Sequence, residues 1–201
     1  MSVTLAYRIA FVVVAALWLV FLIRFVFGRS LKREAATRKS RVSILGIVIQ
    51  GLGYLAVSML QRRPFFSPIV PLPGALAYLP PLLAIALSGA GIWLSLTAVR
   101  TLGREWSYEA RLVEGHRLVT TGPYRWVRHP IYTAMIAKLI AIGIVLSHWI
   151  GLLAGVVLIT IGTLIRTRSE EKLLREQFGA EYDAYARRVP GLVPIRFGAG
   201  T

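Results

Sequence analysis

The sequence predicts an all-α, polytopic membrane protein, and three observations carry that prediction. Hydrophobic residues make up 56% of the 201-residue chain and charged residues only 16%, against about 25% charged in an ordinary soluble domain. Mean hydropathy is +0.63, so the chain has too little polar surface to cover itself in water. Five apolar runs follow one another, at Leu5 to Phe27, Val42 to Leu60, Leu79 to Val99, Ile131 to Ser147 and Trp149 to Ile165. Each is near the roughly 17 to 25 residues that cross hydrocarbon. A backbone in lipid must pair its own amides, which leaves helices or a closed barrel, and unbroken apolar runs without alternation exclude the barrel. The expectation is a single membrane domain over residues 1–201 with about five transmembrane helices.

The first run reads as a retained anchor. It is longer than a signal-peptide core, no basic stretch precedes it, no A-x-A-like cleavage site follows, and basic residues end it. Pro64 to Pro81 is rich in proline and reads as an outer loop. Gly89, Ala90 and Gly91 in the third run suggest a close helix contact, with the fourth helix as partner. Lys138 within the fourth run is costly in lipid, so it is expected to face the bundle or water. Ser147, His148 and Trp149 leave room only for a tight hairpin between the fourth and fifth helices, with His148 an interfacial residue.

The net charge of +15 raises the question of nucleic acid, and its distribution answers it. Arg29, Lys32, Arg33, Arg38, Lys39 and Arg41 follow the first run; Arg100, Arg104, Arg111, Arg117, Arg125 and Arg128 follow the third; Arg166 through Arg196 follow the fifth. These are the loops on one side of a five-span chain, whereas the other side holds only Arg8, Arg62 and Arg63. The positive-inside rule places the basic loops and the C-terminus in the cytoplasm and the N-terminus outside. Anionic headgroups account for the basicity, so no nucleic-acid partner is expected. The chain has no cysteine, and His116, His129 and His148 lack metal-ligand spacing, so no metal is expected either.

Eight of the nine acidic residues lie in the two segments flanking the last pair of helices, Arg100 to Pro130 and Arg166 to Thr201. The hairpin brings these segments together, predicting a polar chamber at the cytoplasmic face between Gly122 to Tyr132 and Arg166 to Tyr185. In the first segment, Gly122-Pro123 and His129-Pro130 bracket a constrained turn with free backbone groups, and Pro130 suits the first turn of a helix. Irregular backbone at membrane depth is tolerated where it lines a cavity, so this turn is a candidate ligand cradle. The competing reading makes Tyr124, Trp126 and Tyr132 an interfacial aromatic belt, with Arg125 and Arg128 reaching for phosphates.

In the second segment Leu173, Leu174 and Phe178 keep helical spacing. The fifth helix is therefore expected to leave the membrane as a cytoplasmic amphipathic helix ending near Gly179. Glu170 and Glu171 then sit at the membrane exit. Arg166 with Glu170, and Glu171 with Arg175, fall at i,i+4 spacing. Adjacent carboxylates facing a partly buried cleft are a cation-binding site; on an open surface they are ordinary ion pairs.

RHPIY at Arg128 to Tyr132, with GPY at Gly122 to Tyr124 before it and Glu170-Glu171 and FGAEYDAYARRVP after a membrane hairpin, resembles the isoprenylcysteine carboxyl methyltransferases and their phospholipid methyltransferase relatives. The likeness covers about residues 100 to 195 and leaves the helices of residues 1–99 without family signal, so residues 100–201 are the expected catalytic part. Such relatives often carry glycine where this chain has Ala134. The resemblance implies an S-adenosylmethionine-dependent methyltransferase acting on a prenylcysteine-like carboxylate or another lipid. It implies that Val119, Gly122, Pro123 and Tyr124 form an adenine slot, that His129 and Tyr132 line the pocket, and that Glu170 and Glu171 receive the positive end of the cofactor. Arg128 or Arg166 would hold its carboxylate, and Arg166, Glu170 and Glu171 would form the catalytic group.

Methyl transfer by in-line displacement needs alignment and exclusion of water rather than a covalent nucleophile, so the lack of cysteine is no obstacle. The lipophilic acceptor is expected to enter sideways from the bilayer among membrane lipids, and the cofactor from the cytoplasm. Two alternatives stay open: a membrane sterol or steroid reductase binding NADPH, with Arg187-Arg188 for the 2′-phosphate, and a scaffold of the same fold without turnover.

Overall fold

A computed structural model describes residues 2–27, 38–39, 42–103, 111–112 and 117–193. Its main elements are helices α1 (Val3–Phe27), α2 (Val42–Met59), α3 (Leu79–Leu102), α4 (Pro130–Leu146), α5 (Trp149–Phe178) and α6 (Ala180–Arg188). A two-residue antiparallel ladder joins Arg38–Lys39 to Arg111–Leu112. The all-α prediction holds apart from this small addition.

Helices α1, α2, α3 and α5 are each long and apolar enough to cross a membrane; α4 has 17 residues and is shorter. At 1.5 Å per residue α4 measures about 25 Å against a hydrocarbon thickness of about 30 Å. The 30 residues of α5 reach about 45 Å, so its last turns stand clear of hydrocarbon. Leu45, Val48, Leu52, Leu83, Trp93, Leu153, Val157 and Ile161 are exposed on the helix flanks, the surface a bilayer would cover.

Helix α4 lies between two layers. Its Ala141, Ile144 and Val145 pack with Ala10 and Val14 of α1 and Ala84 of α3. Leu139 packs on the other side with Val57 of α2 and Ile159 of α5. Glycines allow the tightest approach, between α2 and α5. A Cβ on Gly53 would lie 3.0 Å from the Gly155 carbonyl, and one on Gly162 2.7 Å from the Gly46 carbonyl. Gly91 does meet α4, its Cβ position falling 3.1 Å from the Ala134 carbonyl and from Lys138 Cγ, whereas Gly89 has nothing within 4 Å. The predicted α3–α4 seam is therefore carried by Gly91 alone of those two glycines.

Buried Lys138 faces the bundle, its Nζ 3.6 Å from the Phe21 ring centroid and 5.0 Å from that of Trp18, where ring quadrupoles compensate part of its charge. Arg62 is an inward-turned cap. It donates to the carbonyls of Ile144 (3.0 Å), Val145 (2.7 Å) and Ser147 at the end of α4, which lack partners within the helix. The α4–α5 hairpin is the tight one expected. His148 starts α5 with its Nδ1 accepting from the Ile150 amide at 3.3 Å. The proline-rich loop folds onto α1, with the Ile69 amide donating to Tyr7 Oη at 3.3 Å.

Candidate active site

Three local features assemble the polar end of the bundle. Gly122 has φ of 58°, and a Cβ there would lie 2.8 Å from Thr101 Oγ1 of α3. Both facts favour glycine, which lets the GPY turn press on α3. Pro130 opens α4 directly after His129. Gly179, at φ of 50°, ends α5 where the sequence places the helix end, but as its C-cap with ψ of −122° rather than as a left-handed C′ residue, and turns the chain into α6. Helix α5 runs unbroken from Trp149 past Glu170 and Glu171 to Phe178, and α6 folds back on it.

The return path is held by Arg128. Its Nε and Nη2 donate to Glu171 Oε1 at 3.1 and 2.9 Å, and its Nη1 donates to the carbonyls of Ala186 (2.8 Å) and Val189 (2.5 Å). The backbone amides of Arg128 and His129 donate to the carbonyls of Pro190 (2.8 Å) and Gly191 (3.0 Å). Thr133 Oγ1 donates to the Leu192 carbonyl at 2.6 Å. Residues 189–192 therefore strap the start of α4 to α6, and Tyr185 Oη adds a 2.6 Å bond to the Tyr124 carbonyl.

Inside this frame the carboxylates of α5 meet the loop. Tyr132 Oη donates to Glu170. His129, 6% exposed, has Nε2 2.9 Å from Glu171 Oε1 and Nδ1 3.6 Å from Glu170 Oε2. Arg166 Nη2 stands 3.9 Å from Glu170 Oε1, with its guanidinium 5.1 Å from the Tyr132 ring centroid. Burial alone would lower the His129 pKa, but the hydrogen bonds and charges of Glu170 and Glu171 outweigh it and hold the imidazole above its ordinary value. A ring with a carboxylate at each nitrogen is best satisfied as the imidazolium. Tyr124 is held neutral, its pKa raised by burial and then by Glu170 and Tyr185.

Arg128, His129, Tyr132, Arg166, Glu170 and Glu171 thus converge. Pro123 and Tyr124 are buried beside them through Tyr185, Gly122 is directed at α3, and Val119 is half-buried. His116 lies outside the described residues. The aromatic-belt reading divides: Trp126 is exposed with Arg125 over its ring at 4.7 Å, while Tyr124 and Tyr132 turn inward. Glu171 does not take its i,i+4 neighbour as ion-pair partner, for Arg175 Nε pairs with Asp183 Oδ1 of α6 at 2.8 Å.

Three contributors were not singled out from sequence, although Tyr182 and Tyr185 fall within the predicted Arg166 to Tyr185 side of the chamber. Tyr182 and Tyr185 of α6 are buried against the cluster. Gln50 of α2 donates to Thr163 Oγ1 at 2.9 Å and accepts from Arg166 Nη1 at 3.4 Å. An isolated glutamine in an apolar helix was the available signal.

A family model described as phospholipid methyltransferase matches residues 80–181, from the start of α3 to the start of α6. The chain belongs to the phospholipid methyltransferase family. Protein-S-isoprenylcysteine O-methyltransferase B of Arabidopsis thaliana is 35% identical over 104 residues, covering 51% of this chain and 53% of the relative. Protein-S-isoprenylcysteine O-methyltransferase of Mus musculus is 34% identical over 110 residues, 52% of this chain and 38% of the relative. The nickel-cobalt-cadmium resistance protein NccN of Alcaligenes xylosoxydans xylosoxydans is 34% identical over 99 residues, 47% of this chain and 44% of the relative. The chain matches about half or less of the length of these relatives. Membership of this family agrees with the integral membrane character of the fold, and its match spans both halves of the polar cluster.

Proposed function

We propose that the chain is an S-adenosylmethionine-dependent methyltransferase acting on a lipophilic acceptor, of the prenylcysteine carboxylate or lipid class, at the cytoplasmic face. The observation that carries this reading is the meeting of Glu170 and Glu171 with His129 and Tyr132 where α5 leaves the membrane. The relatives named as isoprenylcysteine O-methyltransferases support the reaction class. The basic segments next to this end of the bundle support a cytoplasmic site, with the N-terminus outside.

The residues fit the cofactor chemically. Tyr182, 1% exposed, has a buried hydroxyl with no hydrogen-bond partner among the described residues. That hydroxyl lies within electrostatic reach of Glu171 and Arg128, and a polar ligand atom would satisfy it. Glu170 and Glu171 would receive the ammonium and sulfonium end, and the turn from Val119 through Gly122, Pro123 and Tyr124 would hold the adenine. Arg166, whose guanidinium lies beside Tyr132 and Glu170, would hold the cofactor carboxylate, while Arg128 ties Glu171 to the carbonyls of Ala186 and Val189. When bound, the cofactor supplies an electrophilic methyl group on sulfur, which passes to the acceptor.

The protein's own part is alignment and shielding. The strap 189–192 and the Tyr185 bond fix the loop against α6. Arg128 and His129 fix Glu171, and Tyr132 fixes Glu170, so the carboxylates are set before a ligand arrives. Buried Tyr124, Tyr132 and Tyr182 keep water out. Incubating the purified protein with methyl-labelled S-adenosylmethionine and either a farnesylated cysteine or a total lipid extract tests this reading. Label is expected in a lipophilic product with wild type and lost with Glu170→Gln; no transfer to any component would overturn it.

A further inference from the structure

We propose that α2 acts on this site through Gln50, as a positioning residue for Arg166, with Gly46 providing the space in which that arginine lies. The inference rests on the methyltransferase reading above and adds a helix that the family match, beginning at residue 80, does not reach. Gln50 is 3% exposed in a helix that is otherwise almost wholly apolar. A buried amide there has to be satisfied by its neighbours. Its Nε2 donates to Thr163 Oγ1 at 2.9 Å, which fixes the amide plane and points Oε1 at Arg166. The Arg166 Nη1 bond to Oε1 is long, 3.4 Å, so it steers the guanidinium more than it clamps it.

Gly46, one turn before Gln50, restricts the stem of the same side chain. A Cβ on Gly46 would lie 2.5 Å from Arg166 Cγ and 3.3 Å from Cδ, so the arginine runs through volume that another residue would fill. Its far side faces the site, 5.1 Å from the Tyr132 ring centroid and 3.9 Å from Glu170. An arginine loses much rotamer freedom in such a place, and α2 supplies the contacts that hold it there. Orientation of the group assigned to the cofactor carboxylate is thereby set in part from α2, through Gly46 and Gln50.

The test measures S-adenosylmethionine affinity by calorimetry on the detergent-purified full chain. Gln50→Met, which keeps length and loses the amide, is expected to raise Kd about tenfold while the unfolding temperature changes little. Gln50→Glu, which keeps an oxygen for Arg166, is expected to restore most of the affinity. Arg166→Ala is expected to weaken binding at least as much, and Gln50→Met added to it to do nothing more, because the two act as a unit. Should Gln50→Met fail to fold, Thr163→Val, which removes the hydroxyl that orients Gln50, gives the same readout. Wild-type affinity in Gln50→Met or Thr163→Val beside a weakened Arg166→Ala would overturn this inference and leave the methyltransferase reading standing. Absence of binding by wild type would overturn both.

Discussion

At the residue scale the site depends on how His129, Glu170 and Glu171 share charge. The folded-state pKa of His129 is raised, so its protonated form contributes stability that is fully present below its unfolded value of about 6.5. That contribution is lost as pH rises through the folded-state pKa. The difference in unfolding temperature between wild type and His129→Gln should therefore be largest near pH 6 and shrink above it, as a scan in detergent across pH would show. Binding of a cationic ligand at the same carboxylates opposes the proton, so S-adenosylmethionine affinity should rise over the window in which His129 deprotonates. Glu171→Gln leaves Arg128 and His129 facing a neutral amide. Because the carboxylate is partly exposed, the expected cost is about 1–3 kcal/mol, measurable by chemical unfolding. The motif residues were readable because Gly-Pro and His-Pro steps and a pair of adjacent glutamates stand at the ends of apolar runs, where they constrain backbone and charge. Tyr182 was not, since nothing local distinguishes a buried hydroxyl from an exposed one, and Gln50 was signalled only by its isolation in an apolar helix.

At the element scale the bundle is set by close packing of α2 on α5. Gly162→Ala would place a Cβ 2.7 Å from the Gly46 carbonyl and 2.9 Å from the Gln50 amide nitrogen, backbone atoms that yield only if the helices separate. A loss of about 1–3 kcal/mol is expected, whereas Gly89→Ala, with open space around it, should be neutral or slightly stabilising; paired unfolding curves would show the contrast. The run lengths made the five apolar helices legible, and the Pro130 and Gly179 boundaries followed from their restricted backbones. Partners were less legible. The pair Gly89 and Gly91 gave a seam, yet only Gly91 lies on it, because residues two apart point to different sides of a helix. The strap of residues 189–192 is not legible in the sequence because it enters every bond through its backbone carbonyls, which carry no side-chain pattern.

At the scale of the whole molecule the α4–α5 hairpin does most of the functional work. It returns the chain so that residues about 40 apart in sequence, Tyr132 and Glu170 or His129 and Glu171, stand in contact. This convergence was legible because connectivity alone demands it once two helices are joined by a tight turn. The proposed orientation follows from the same topology, and the lack of native cysteine makes it easy to examine. Cysteine introduced at Ser67 should react with an impermeant maleimide added outside intact cells, and cysteine at Lys172 only after the membrane is opened; the reverse pattern would invert the molecule. The central claim is that the Glu170–Glu171 cluster binds S-adenosylmethionine, and calorimetric titration of the purified protein tests it most directly. Saturable one-to-one binding, abolished or strongly weakened by Glu171→Gln in protein that remains folded, is the predicted result. No heat of binding from folded wild type, or unchanged affinity in Glu171→Gln, would contradict it.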